Sequence, residues 1–271
     1  MKNKKSFYLI IRILVIILIT VSLIAFFNTE ESIENYYEKF ADLPRHNMEY
    51  SYALDISNPE RAVDFYPYVF IAKVNKVIKT EYRNPMEVEL TPDGSKTKVI
   101  YEPYTIYDIT VIENLKGEII ENSNITIEQV GGVSKDQDYT MFPTNMGFLK
   151  ENYYYILLAY ASVNTGELRL ESPYTVIELG TLSDKSTLQN ILEISEIKEM
   201  DKIEQLSKEK NDNQEINKIL TYKQAIMTPI DTKYYEQLAE SSGVKDYKTF
   251  YFKKNMSKYD VNYKKSNDSK Y

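Results

Sequence analysis

Tyr104-Thr105-Ile106-Tyr107-Asp108-Ile109-Thr110-Val111-Ile112-Glu113-Asn114-Leu115-Lys116-Gly117 is the stretch on which the fold turns. Tyr107, Ile109 and Val111 fall on one side of a period of two, Asp108 and Thr110 on the other. A strand points successive side chains to opposite faces, so this is a half-buried strand, closed by Lys116-Gly117. The same period holds in Tyr68–Tyr82, where Phe70, Ala72 and Val74 share a face. The apolar phase then slips to Val77, which places a bulge at Asn75-Lys76. Pro92-Asp93-Gly94 joins a fixed φ, an Asx side chain and a glycine, which makes a turn. Ile125–Val130 is a third strand. Tyr153–Ala161 is a fourth, apolar on both faces and hence central. Asn164-Thr165-Gly166 turns the chain back into Leu168–Glu171, and Tyr174–Leu179 adds a short sixth. Five or six short strands without intervening helices predict a small antiparallel barrel or sandwich.

Helices flank the strands. Ile33, Tyr36, Tyr37 and Phe40 lie on one face of a helix over residues 30–42, which Pro44 ends. After Leu182 the chain turns helical and highly charged. Ile191, Ile194, Ile197, Met200, Ile203 and Leu206 recur every third residue. On a 3.6-residue helix such a row drifts by about 60° per step, so a break near Ser195–Lys198 is expected. Ile216, Ile219, Leu220, Ile226 and Met227 hold one stripe, and Asp231 caps a further helix that uses Tyr234, Tyr235 and Leu238. Lys253–Tyr271 is polar and lysine-rich, and is expected to fray.

The N-terminus carries Lys2, Lys4 and Lys5, and Phe7–Phe27 is apolar except for Tyr8, Arg12, Thr20 and Ser22. A helix of that length covers about 32 Å, enough for a bilayer core. Positive charge before it and Glu30-Glu31 after it place the N-terminus in the cytoplasm and the bulk of the chain outside. No A-x-A-like cleavage site is present, since Leu23 stands at the −3 position of Ala25. The segment therefore reads as a retained single-pass anchor in the cell membrane, through residues 7–27. The formal charge of −7 resolves into +4 over residues 1–27 and −11 beyond them. An ectodomain of that sign stands off anionic lipid. The expected divisions are a cytoplasmic tip and anchor (1–27), a juxtamembrane helix and linker (28–65), the strand domain (66–182), a helical region (183–252) and a flexible polar tail (253–271).

Composition removes whole classes of chemistry. Among the 271 residues there is no cysteine, so thiol nucleophiles, disulfides, iron–sulfur clusters and cysteine zinc sites are excluded. His46 is the one histidine, too few for a multi-histidine metal site. The acidic balance argues against nucleic acid as a partner. Tyrosine occurs 25 times beside abundant lysine, isoleucine and asparagine. These are residues of A/T-rich codons, so genome composition accounts for the excess without a tyrosine-rich binding face.

Some residues still merit a chemical question. Asp136 and Asp138, in the loop after Gly131-Gly132, could offer carboxylates to Ca²⁺, but the spacing lacks the glycine and distal glutamate of a calcium loop. Gly131-Gly132-Val133-Ser134-Lys135 lacks the spacing of a phosphate loop, and Ser134 has no nearby base in sequence. Asp55, Glu60 and Asp64 could pair as acid and base in glycan cleavage. Asn58-Pro59 between them marks a turn, and solvated turn carboxylates are the plainer reading. No catalytic, cofactor-binding or metal-binding residue is assigned, and no cofactor is implied.

Three stretches carry a resemblance. Tyr68–Val74, Tyr104–Gly117 with its terminal Leu-Lys-Gly, and Tyr153–Tyr160 followed by Leu168-Arg169-Leu170 are similar to strands of the netrin-like, tissue-inhibitor-of-metalloproteinases group of OB-fold barrels. The cadence also resembles membrane-anchored surface proteins of low-GC Gram-positive bacteria. The resemblance covers residues 66–180 and implies an α+β chain: a transmembrane helix, a small antiparallel OB-like β-barrel and a helical C-terminal region. It implies no inhibition, because the group places an N-terminal cysteine on zinc and this chain has none. The expected function is a non-enzymatic binding module outside the membrane, its partner an envelope protein or wall component. The rivals are a cell-envelope hydrolase using carboxylates and an accessory subunit of a membrane complex.

Overall fold

A computed structural model describes residues 36–50, 54–89, 91, 94–182, 185–208, 213–246, 248 and 255–261. The apolar stretch at 7–27 lies outside the described residues, as does the beginning of the helix expected over 30–42. Among the described residues no helix is long and apolar enough to cross a membrane. The chain divides after Ala41 into two units. In the first, Tyr36–Phe40 form a single helical turn, α1, in which the two rings meet edge to face.

The second unit, from Asp42 onward, is α+β. It begins with β1 (Arg45–Met48) and α2 (Pro59–Phe65). Asn58 does not merely turn the chain: its side chain accepts the N–H groups of Glu60 and Arg61, and Pro59 opens the helix behind it. The main sheet holds β2 (Tyr68–Glu89), β3 (Thr97–Lys116), β4 (Asn124–Val130), β7 (Tyr154–Ala161), β8 (Leu168–Leu170) and β9 (Val176–Gly180) in the order β2-β3-β4-β8-β7-β9. The expected bulge is present as a register shift between Val74 and Lys76. Two short strands, β5 (Gly132–Val133) and β6 (Thr140–Pro143), join β1 in a second sheet of order β1-β6-β5. The alternation rule missed that sheet because its strands are too short to show a period.

The main sheet is mixed, not antiparallel throughout. β2 also pairs with β7 along Tyr68–Lys73, so the pairings run β2, β3, β4, β8, β7 and return to β2. Five strands in a cycle cannot alternate direction all the way round, so one pair must be parallel. It is β4–β8, with Ile127, Glu128 and Gln129 opposite Leu168, Arg169 and Leu170. β2 and β3 also run further than their apolar faces predict. Their outer halves form a polar ribbon held by backbone pairing, bent at a register shift between Arg83 and Met86.

Among the described residues four more helices follow: α3 (Lys185–Ser195), α4 (Met200–Lys208), α5 (Gln214–Met227) and α6 (Thr232–Ser241). The break between α3 and α4 falls where the threefold row demanded one. Asp231 caps α6 by accepting the Tyr234 N–H at 3.1 Å. β2 and β7 are buried on both faces because each serves two cores. Val69, Ile71, Ile156 and Leu158 pack with Ala62 and Val63 of α2, Ile191, Ile203, Ile219 and Tyr235. The alternate residues Ala72 and Val74 lie opposite Val111 and Ile109. The tyrosines are mainly scaffold: Tyr107 and Tyr155 are buried, and their hydroxyls accept the N–H groups of Leu149 and Lys150.

Candidate functional site

The strand register lines up one row of side chains across five strands. Lys79 of β2 stands opposite Ile106 of β3, Ile106 opposite Glu128 of β4, Glu128 opposite Arg169 of β8, and Arg169 opposite Tyr160 of β7. The period of two brings Glu81 and Arg83 onto the same side. Apart from Tyr160, these residues line a groove of about 420 Å³ together with Ile78, Ile127, Thr126, Thr165 and Glu167.

Glu128 is its centre, with a side chain only 5% exposed. Oε2 accepts a hydrogen bond from Arg83 Nη2 at 2.5 Å, whereas Oε1 lies 2.5 Å from Arg169 Nε as an ion pair without hydrogen-bond alignment. A carboxylate so deep is tolerable only when paired, and two guanidinium groups pair it. Arg83 Nη2 also holds Glu81 at 2.6 Å, whose other oxygen takes Lys79 at 2.6 Å. These bonds hold the Glu81 carboxyl below its ordinary range. Arg169 Nη1 reaches Glu171 at 3.6 Å. Both guanidinium groups lie near the Tyr104 ring, 4.6 Å and 5.3 Å from its centroid, within cation–π range. The Tyr104 hydroxyl donates to Glu102 at 2.8 Å, and Tyr50 and Asn84 donate to the same carboxylate.

Glu171 is tuned differently. Burial, and then the negative charges of Glu102 and Glu128, push its carboxyl up to about 7. Tyr160 donates a hydrogen bond to it. Glu128 and Glu171 thus share the Arg169 guanidinium. In the groove, Lys79, Arg83 and Arg169 face Glu81, Glu128 and Glu167, three of each sign. The surface is therefore near neutral, although the chain beyond residue 27 is strongly acidic. It offers apolar walls at Ile78 and Ile106 and a fixed lattice of donors and acceptors.

The residues singled out from sequence lie elsewhere and do not converge. Asp55 is exposed and accepts the Ser57 N–H at 3.1 Å. Glu60 is exposed in the first turn of α2. Asp64 accepts the Tyr235 hydroxyl at 3.0 Å and ties α2 to α6, and burial raises its pKa. Asp136 and Asp138 both face Lys98, at 2.8 Å and 3.8 Å, so an ammonium group stands between them. Ser134 donates to Asp138 and accepts from the backbone of Asp138 and Tyr139, the bonding of a turn. His46 lies exposed on β1, its ring 4.5 Å from that of Tyr139. Sequence reasoning does not find the groove residues Arg83, Glu128 and Arg169, or Glu171, which reaches Arg169. Their one sequence signal is a charge set among apolar alternating neighbours, as in Leu168-Arg169-Leu170.

The chain matches no family model and no curated protein.

Proposed function

We propose that this chain is a membrane-anchored binding module outside the cell membrane, built on an OB-like barrel, and that its ligand seats in the groove around Glu128. The observation that carries it is the buried Glu128 held between Arg83 and Arg169 on the floor of a 420 Å³ groove. An OB-like barrel is supported by the cycle of five strands with its single parallel pair. Such barrels bind through a strand face and the loops beside it, and the groove combines a strand face with the β7–β8 turn at Thr165. The anchor rests on the apolar run at 7–27 and its charged flanks. Envelope protein or wall glycan is the ligand class that this location supplies. Pull-down of envelope proteins and wall fragments with the full chain in detergent should recover a partner, and Arg169→Ala should release it. Equal capture by the parent and Arg169→Ala would remove the groove from the proposal.

One observation favours a second reading. Glu128 and Glu171 share Arg169, and burial pushes Glu171 up to about 7, within the range that a general acid near neutral pH uses. A hydrolase would draw on this pair, not on Asp55, Glu60 and Asp64. Wall-glycan turnover by the purified chain, lost in Glu171→Gln, would establish it.

A further inference from the structure

The polar stretch expected to fray is docked where it is described. Ser257 and Asp260 are buried, at 0% and 6% exposure. Tyr68, wholly buried on β2, donates its hydroxyl to Asp260 Oδ2 at 2.6 Å and accepts the Ser257 N–H at 2.7 Å. The segment is itself a turn, since the Asp260 N–H donates to the Ser257 carbonyl at 3.1 Å. The sheet receives it at three further places. The Gly166 carbonyl accepts the Lys258 N–H at 3.0 Å and the Ser257 hydroxyl at 3.2 Å. The Glu118 carbonyl accepts the Val261 N–H at 3.0 Å. The Thr126 N–H donates to the Tyr259 hydroxyl at 3.2 Å, which also lies 3.1 Å from Glu167.

Two glycines shape the receiving surface. Gly117 has φ +99°, and a Cβ on it would stand 2.6 Å from the Tyr68 ring. Gly166 has φ +67°, and a Cβ there would stand 3.0 Å from the Lys258 nitrogen. The site thus reads the segment by backbone bonds, by one buried phenol that recognises an aspartate and is itself seated against Gly117, and by one position, Gly166, cleared of side chain. The fit is incomplete: Asp260 Oδ1 is buried with no hydrogen-bond partner among the described residues. That acceptor loses its water on docking and gains nothing, which weakens the hold.

We infer that this end of the sheet is a recognition site for a Ser-x-x-Asp peptide turn, filled here by the chain's own residues 257–260 and open to the same segment of a second copy. The inference goes beyond the groove and does not depend on what the groove binds. Asn255 lies nine residues beyond Asp246, a tether of up to roughly 30 Å when extended. A connection of that length in sequence gives the cis segment a high effective concentration against a free competitor.

Complementary variants of the full chain in detergent micelles test it. Asp260→Asn keeps the receiving site and weakens the segment. Tyr68→Phe keeps the segment and weakens the site. Mixed after labelling with donor and acceptor dyes, the two should form a heterodimer at least tenfold tighter than either forms with itself. Amide exchange at Ser257, Lys258 and Val261 should also quicken at least tenfold in Asp260→Asn. If Tyr68→Phe fails to fold, a labelled synthetic peptide of residues 253–263 takes its place. It should bind the Asp260→Asn chain at least tenfold more tightly than the same peptide with asparagine at position 260. A mixture that associates no better than the single variants, or a peptide indifferent to that substitution, overturns the inference.

Discussion

Replacing Glu128 by glutamine removes the charge at the centre of the groove and keeps its shape. Taking one partner from a fully buried ion pair costs about 3–5 kcal/mol, because a charge is left uncompensated. Here the carboxylate is 5% exposed, but Arg83 and Arg169 are 34% and 22% exposed, and each keeps a second carboxylate in Glu81 and Glu171. Partial solvation and those second partners bring the expected cost of Glu128→Gln to about 2–3 kcal/mol. For a domain of this size that lowers the melting temperature by roughly 5–10 °C. A second consequence is independent of stability. Glu128 is one of the two charges that push Glu171 up, and without it Arg169 turns to Glu171 alone, so the Glu171 titration should move below about 7. Thermal melting followed by circular dichroism measures the first effect, and carboxyl-labelled NMR titration the second. A variant that melts within a degree of the parent with an unmoved Glu171 titration would refute the triad as the organising feature of the groove.

Glu171→Gln should change how stability depends on pH. The folded chain holds a proton on Glu171 up to about 7, whereas the ordinary value is 4.5, so parent stability falls as pH rises through that window. The side chain is 41% exposed, and solvent screening leaves about 1–2 kcal/mol of that penalty above neutral pH. Urea unfolding at pH 5 and pH 8 should show the parent losing that amount relative to the glutamine variant. Ile109 is wholly buried between Val74 and Ile125, so Ile109→Asp should cost several kcal/mol. A melt within a degree or two of the parent would mean that the strand phase is wrong. Protease added outside intact protoplasts should digest the chain beyond residue 28, and protection of the C-terminus would overturn the proposed topology.

Where a physical constraint acts within a few residues, the fold was legible in advance. Alternation at Tyr107, Ile109 and Val111 marked a strand, the threefold isoleucine row forced the break between Ser195 and Met200, and Asp231 marked a helix start. Asn58-Pro59 misled because one chemistry serves two ends: an asparagine acceptor followed by a fixed φ starts a helix as readily as it turns a chain. Residues 255–261 were illegible for another reason. The burial of Ser257 and Asp260 rests on a phenol at position 68 and a carbonyl at position 166, not on any apolar pattern of the segment. The groove obeys the same logic at larger scale. Glu128 lies 45 residues from Arg83, and nothing local says that they meet. Strand register brings them together, and register depends on the cycle of pairings. A five-membered cycle must contain one parallel pair, and in this chain it falls between β4 and β8, with Glu128 against Arg169. A one-residue slip of β8 would carry Arg169 to the other face and leave Glu128 buried with half its compensation. The charge pair therefore penalises the wrong register, so the residues that shape the groove also help to fix the sheet that holds them.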